Sequence, residues 1–322
     1  MKVKNFPVSL VIPILNEAES LPKLLQAIEA QTHHPEEIIF VDAGSTDGGV
    51  DLIKAWWDGV RWNKAQCNVL ISPGSMPGAG RNVGVRAASN NWIAFIDGGI
   101  NPDSEWLEQL CQGALDSKSE AVFGLCHFSA EEPFCKAICA LSYGLGSMHP
   151  VIPASLFHRK VFDKVGGFPS DLRAGEDLIW MSAFHGIYGQ RMVCHRAIVH
   201  YTHFPVRWKQ ALLKWYLSES QCVLAGVRAR QHVIYLIGLP AIYGMAFMGG
   251  GYGACLLMLY ILFRGFVDPI RRSKDRPWWG PQPIAALIAV PLATALDLAK
   301  WLGITHGVGI SFLKKWRCFV NR

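Results

Sequence analysis

The sequence predicts an α/β fold, a mostly parallel sheet with helices on both faces, continued by apolar C-terminal helices. Three observations predict it. Strand-like runs at residues 8–14, 37–42, 67–72 and 92–97 alternate with helical patterns at about 18–31, 46–57, 80–89 and 102–116, and such βαβα alternation builds a parallel sheet covered on both faces. Asp42 and Asp97 each close an apolar, β-branched run, in IIFVDAG and WIAFIDGG, at the strand ends where open α/β sheets place their ligand crevice. From His232 to Phe263 no residue carries a formal charge, His232 itself apart, which marks a second kind of structure after a first, α/β part.

Taken in order, MKVKNFPVSLVIPIL has the outline of a signal peptide, with Lys2 and Lys4 before an apolar run. Pro7 and Pro13 interrupt that run, no small-residue cleavage site follows and Asn16-Glu17 ends it, so it reads as the first strand. Asn16 with Glu19 forms a capping-box-like pattern for the first helix, and Ser45 and Asp47 start the second. Gly78-Ala79-Gly80-Arg81-Asn82 opens the third helix with backbone amides and a cation, a combination that suits phosphate; Arg81 is a diphosphate contact or a surface salt bridge. Asn101-Pro102 reads as an N-cap and first helical residue. A further strand is expected at 120–125 and irregular chain at 142–155, and Glu176-Asp177 precedes a helix beginning near Leu178.

Composition sets the context. Charged residues are only 17% of the 322, below the usual quarter, and mean hydropathy is positive. The net charge is +6, and Arg264, Arg271, Arg272, Lys274 and Arg276 border the apolar stretch, which fits a membrane surface better than nucleic acid. Nine cysteines without framework spacing imply free thiols in a reducing compartment, and the Cys126, His127, Cys135 and Cys139 cluster matches no structural zinc spacing. As one helix, the 31 residues after His232 would span roughly 46 Å against a bilayer core of about 30 Å. The GGGYG break at 249–253 offers a hairpin of two short helices instead. A second apolar segment runs from about 281 to 296, ends at Asp297 and Lys300 and leads to Lys314, Lys315 and Arg317. Membrane insertion is expected, with a helical cap on the soluble part as the alternative, and the domains divide as 1–230 and 231–322.

Together VSLVIPILNE, VDAGSTDG, GRNVGVRAASNNWIAFIDGG, FDKVGGF and GEDLIW, in this order, make residues 7–210 resemble the family 2 glycosyltransferases, whose fold is GT-A. The resemblance implies that Pro13, Asn16, Glu17 and Asp42 clasp a nucleobase and ribose. It implies that Asp177 is the catalytic base of an inverting displacement, supported by Glu176, and that Asp97 contacts diphosphate and a divalent metal, Mn or Mg. Here the family's Asp-x-Asp is Asp97-Gly98-Gly99, so one carboxylate stands where two are usual. His200 is a candidate distant metal ligand, and His203 shares that position, each against the alternative of a histidine satisfied within the fold. Arg207-Trp208 resembles the Gln-x-x-Arg-Trp motif of processive synthases, but Phe204 replaces Gln, which favours single addition.

The implied function is sugar transfer from a UDP- or GDP-linked donor to a lipid-linked or cell-surface glycan acceptor. The implied setting is polysaccharide or cell-envelope synthesis at the inner membrane, with the catalytic domain cytoplasmic, lipid as a partner and nucleic acid as none. Two rivals stand beside it. A dinucleotide-dependent oxidoreductase lacks its fingerprint, because the loop after the first strand is ILNEAES with no Gly-x-Gly-x-x-Gly. A non-catalytic membrane subunit would keep the fold and lose the Asp-x-Asp.

Overall fold

The computed structural model describes residues 5–60, 62 and 65–320, with backbone only at 314, 315 and 317–320. Lys2, Lys4 and the side chains of Lys314, Lys315 and Arg317 therefore lie outside the described residues. The elements are β1 (Val8–Ile14), α1 (Leu21–Glu29), β2 (Glu37–Asp42), α2 (Gly49–Gly59), β3 (Gln66–Ile71), α3 (Pro77–Ala87), β4 (Trp92–Phe95), β5 (Ile100–Pro102), α4 (Trp106–Ser117), β6 (Ala121–Phe128) and α5 (Pro133–Ser142). They continue with β7 (Met148–Pro150), β8 (Leu156–His158), α6 (Arg159–Val165), α7 (Glu176–Tyr188), β9 (Met192–Tyr201), α8 (Trp208–Leu224), α9 (Ala229–Met248), α10 (Gly250–Leu262), α11 (Asp268–Arg272) and α12 (Ile284–Val320). Two compact units result: the chain up to His127 with Met148–His203, and Phe128–Ser147 with Phe204 onward. α5 and α8 thus go with the C-terminal helices, whereas the sequence expectation divided the chain at 230.

In the first unit the sheet order is β3-β2-β1-β4-β8-β6-β9-β5, with β7 beside β6. β3, β2, β1 and β4 run parallel, as the alternation predicts. β8 pairs antiparallel with β4 and β6, and β5 with β9, so the parallel character belongs to the N-terminal half. β1 and β2 are buried almost throughout, because central parallel strands are covered on both faces. Phe95, Phe123, Phe157, Phe168, Trp180 and Phe184 form an aromatic core under the antiparallel half. Trp180, four residues after Glu176, is 1% exposed and donates its indole N–H to the Gly166 carbonyl at 2.9 Å, so packing explains it.

One boundary is corrected. Asn101 and Pro102 do not open a helix; they lie in β5, opposite His200 and Val199 of β9, and α4 starts at Trp106. Proline lacks the N–H a ladder would use, and a three-residue strand loses little by it.

In the second unit, three helical stretches are long and apolar enough to cross a membrane: Ala229–Met248, Gly250–Arg272 and Ile284–Leu313. The uncharged stretch is two helices, broken at Gly249-Gly250, where Gly250 takes a φ of 56° that favours glycine. Each is longer than the sequence suggested, because the second runs through a π-turn at Phe263–Val267 into α11. The third does not stop at Asp297 and Lys300. Asp297 accepts hydrogen bonds from Tyr235, Tyr260 and Arg264 at 2.9, 2.8 and 2.6 Å, and a charge paired inside apolar helices need not end one. Ile237, Phe247, Met258 and Leu287 remain exposed, apolar surface of the kind that faces lipid or a partner.

Candidate active site

The loops after β1 and β2 are bolted together. Asn16, held at a φ of 56°, donates its backbone N–H to Ser45 Oγ at 2.9 Å and accepts the Thr46 N–H on Oδ1 at 2.9 Å. The Ala18 N–H donates to Asp47 Oδ2 at 2.7 Å, and this amide holds the Asp47 carboxyl below its ordinary range. Neither Asn16 nor Asp47 is a helix cap, therefore: α1 begins at Leu21 with Ser20 in the cap position, and Gly48 holds that position for α2. Asp42, 3% exposed, accepts the Ser45 N–H at 3.0 Å and its hydroxyl at 2.5 Å. The carboxylate thus braces the turn that follows β2, a local task that the sequence did not reveal for Asp42.

α3 lies tight against its surroundings because two of its positions, Gly78 and Gly84, have no side chain. A Cβ on Gly78 would collide with the Pro169 carbonyl, and one on Gly84 with Val11. Asn82 matches the backbone across this contact, donating Nδ2 to the Phe168 carbonyl at 2.7 Å and accepting the Phe168 N–H at 2.8 Å. Arg81 is consequently neither a surface salt bridge nor an open cation. Its side chain is 5% exposed and bridges Glu176 Oε1, at 2.9 Å from Nη1, and Asp97 Oδ1, at 3.0 Å from Nη2. Burial opposes its charge, but Asp97 and Glu176 together outweigh burial and raise the guanidinium pKa. Glu176, at the first position of α7, is pushed upward by burial although Arg81 pulls it back. Asp177 beside it is exposed and accepts its own helix's Leu178 N–H at 2.8 Å.

A cleft of about 270 Å³ opens at the carboxyl edge of β1, β2 and β4, lined by Pro13, Glu17, Arg81, Asp97 and Arg173, with Met76 as part of its wall. Glu17 accepts the Ser20 hydroxyl at 2.7 Å and lies where side chains at 98 and 99 would extend. A Cβ on Gly98 would stand 2.9 Å from Glu17 Cγ, and one on Gly99 4.0 Å from Glu17 Oε2. The glycines in place of the second aspartate leave room for this carboxylate. His200 is engaged elsewhere: Nε2 meets Asp103 Oδ1 at 2.8 Å and Nδ1 meets His127 at 3.3 Å. It is His203 that reaches the Asp97 loop, with Nδ1 3.1 Å from the Gly99 carbonyl.

Among the described residues no three His, Cys, Asp or Glu side chains converge as a metal-binding group. Asp97, with 36% of its side chain exposed, and the neighbouring Glu17 fit a Mg²⁺- or Mn²⁺-type ion held by one or two carboxylates and substrate phosphates. Arg173 was missed in the sequence. Its signal was a cation two residues before Gly175 in LRAGED, overshadowed by the acidic pair.

Residues 9–166 match the family model described as glycosyl transferase family 2. Glycosyltransferase AglE of Haloferax volcanii is 29% identical over 188 residues, 54% of this chain and 59% of its own length. Glycosyltransferase GlyA of Streptococcus pneumoniae is 23% identical over 189 residues, 58% of this chain and 25% of its own. The chain thus spans 59% of one relative's length and 25% of the other's, less than two thirds of either. Among solved structures, mannosyltransferase PcManGT from Pyrobaculum calidifontis, in complex with GDP-Man and Mn²⁺, aligns with a TM-score of 0.57 at 16% identity, covering 92% of this chain and 88% of that one. At that identity the likeness is one of fold.

Proposed function

Its segment 9–166 belongs to glycosyl transferase family 2, and from this premise we propose that the protein is a membrane-associated, inverting glycosyltransferase using a nucleotide-diphosphate sugar. The observation that carries the reading is the cleft at the carboxyl edge of the parallel strands, where Pro13, Glu17, Asp97 and Arg173 converge. The bolted loops that carry Asn16 and Asp42 would hold the nucleoside. The diphosphate gathers charge as it leaves, so a fixed cation beside it lowers the barrier. With Arg81 committed to Asp97 and Glu176, Arg173 is the cation for that role. A bound divalent ion would supply further charge neutralisation at the diphosphate, held by Asp97 with Glu17 and the donor's phosphate oxygens.

Asp177 is the proposed base. Its carboxylate takes the proton of the acceptor hydroxyl, the oxygen attacks the anomeric carbon, and the carbon–oxygen bond to the diphosphate breaks on the opposite face. Glu176 acts through Arg81, fixing the Asp97 carboxylate. An acceptor on a lipid or at the cell surface fits the membrane-length helices. Eight free cysteines among the described residues and the location of nucleotide-sugar pools favour a cytoplasmic catalytic unit at the inner membrane.

The test is donor turnover by purified protein across UDP- and GDP-sugars, with Mn²⁺ or Mg²⁺ and with chelator. Asp177→Asn should reduce transfer by about 10²–10⁴-fold while leaving donor affinity nearly unchanged. Arg173→Ala should act on donor affinity and turnover together. Donor binding without transfer or hydrolysis under any of these conditions would favour the non-catalytic subunit. Unaltered turnover by Asp177→Asn would remove that residue from the mechanism.

A further inference from the structure

The second unit holds a cavity of about 300 Å³ whose charge is unlike its surroundings. Lys214, Arg228, Arg264, Arg272 and Lys300 line it, with Glu219 as the one carboxylate on its wall. Taking cations into apolar helices costs several kcal/mol each unless they are paired, so their partners matter. Asp297 takes Arg264 at 2.6 Å and Lys300 at 3.6 Å. Asp268 takes Arg264 and, at 2.8 Å, Arg272. Glu219, 3% exposed, takes Arg228 at 3.4 Å and His232 at 3.0 Å. Arg228, Arg264, Arg272 and Lys300 thus share three carboxylates, and Lys214 adds a fifth cation to the wall. Around this one polar space the lining cations outnumber the single lining carboxylate, the kind of wall that holds a phosphate through charge-assisted hydrogen bonds.

The walls indicate what carries that phosphate. Arg264 and Lys300 project from stretches long and apolar enough to cross a membrane, and Arg228 directly precedes another. Val233, Ile234 and Ile237 on α9 are more than half exposed, offering apolar surface next to the cationic cavity. Basic pockets between membrane helices take anionic lipid headgroups. We propose that this cavity binds the phosphate headgroup of a membrane lipid. The site is separate from the cleft of the first unit and does not rest on the glycosyltransfer reading.

Full-length protein in detergent is titrated with dioctanoyl phosphatidic acid, dioctanoyl phosphatidylcholine or inorganic phosphate, and unfolding is followed by tryptophan fluorescence. Phosphatidic acid should raise the melting temperature saturably and phosphatidylcholine should not. The double variant Lys214→Gln/Arg228→Gln should weaken the phosphatidic acid response at least tenfold. It leaves Asp297 and Asp268 paired, and Glu219 with His232. If the double variant does not fold, the single variants are read instead, each expected to weaken the response at least threefold. Equal responses to both lipids, or unchanged affinity in folded variants, overturn the proposal. Inorganic phosphate saturating the same response at the same concentration overturns the lipid assignment. Loss of nucleotide-sugar binding with the lipid response intact would count against the proposed transferase alone.

Discussion

Arg81 shows how much one side chain can organise. It joins Asp97, at the end of β4, to Glu176, at the start of α7, and its removal leaves Glu176 buried without its counter-charge. Arg81→Met should cost about 3–5 kcal/mol of stability. Arg81→Met/Glu176→Leu, which removes both charges, should melt above Arg81→Met alone, because neighbours in one network are not additive. Thermal unfolding of the three proteins in detergent checks the order, and a double variant melting below the single would mean that the bridge is not a unit. Residue type announced Asp42, Asp97 and Glu176 as special, since carboxylates at strand and helix ends demand a reason. What each one touches was not legible. The partners of Arg81 lie 16 and 95 residues away, and nothing in the local pattern around it distinguishes a buried bridge from an open phosphate contact.

Glycines decide where helices can approach their neighbours. Gly78→Ala would drive a methyl into the Pro169 carbonyl, whereas Gly80→Ala meets nothing closer than Pro13 Cβ at 3.4 Å. Gly78→Ala should therefore destabilise by about 1–3 kcal/mol, while Gly80→Ala, helped by about 1 kcal/mol of helix propensity, should be near neutral; parallel melts check the contrast. In the second unit Gly303 and Gly307, one turn apart on α12, face the Tyr216 and Ser220 carbonyls of α8. This small-x-x-x-small spacing lets membrane-type helices pack closely, and Gly303→Leu should separate the pair, seen as a lower melting temperature and faster proteolysis of α8. The four parallel strands and their helices were legible because their apolar runs are continuous and well punctuated. β5 and β9 were not. A three-residue strand containing proline has no periodicity, and its ladder exists only because a segment 100 residues later returns to it.

At the scale of the whole molecule, the three membrane-length stretches should keep the full chain in the membrane pellet through high-salt and alkaline washing, with release only by detergent. Monodisperse protein without detergent would overturn the membrane assignment. A cut at the expected domain boundary near Arg230 would separate α5 and α8 from α12. α5 and α8 both pack against α12, with Ala211, Trp215 and Cys222 of α8 buried, so a chain ending at Arg230 should aggregate, as size exclusion would show. The chain passes between its two units three times, at 127/128, 147/148 and 203/204, and this order has a consequence during synthesis. α5 leaves the ribosome 142 residues before α12 begins, counting from Ser142 to Ile284. At about 5–20 residues per second that is a wait of roughly seven to thirty seconds. Throughout it an apolar helix, encoded between two strands of the first unit's sheet, lacks α12, against which it packs in the finished protein. The nascent chain should depend on a chaperone or on early contact with lipid to keep Ala137, Ile138 and Leu141 covered until the last helix arrives.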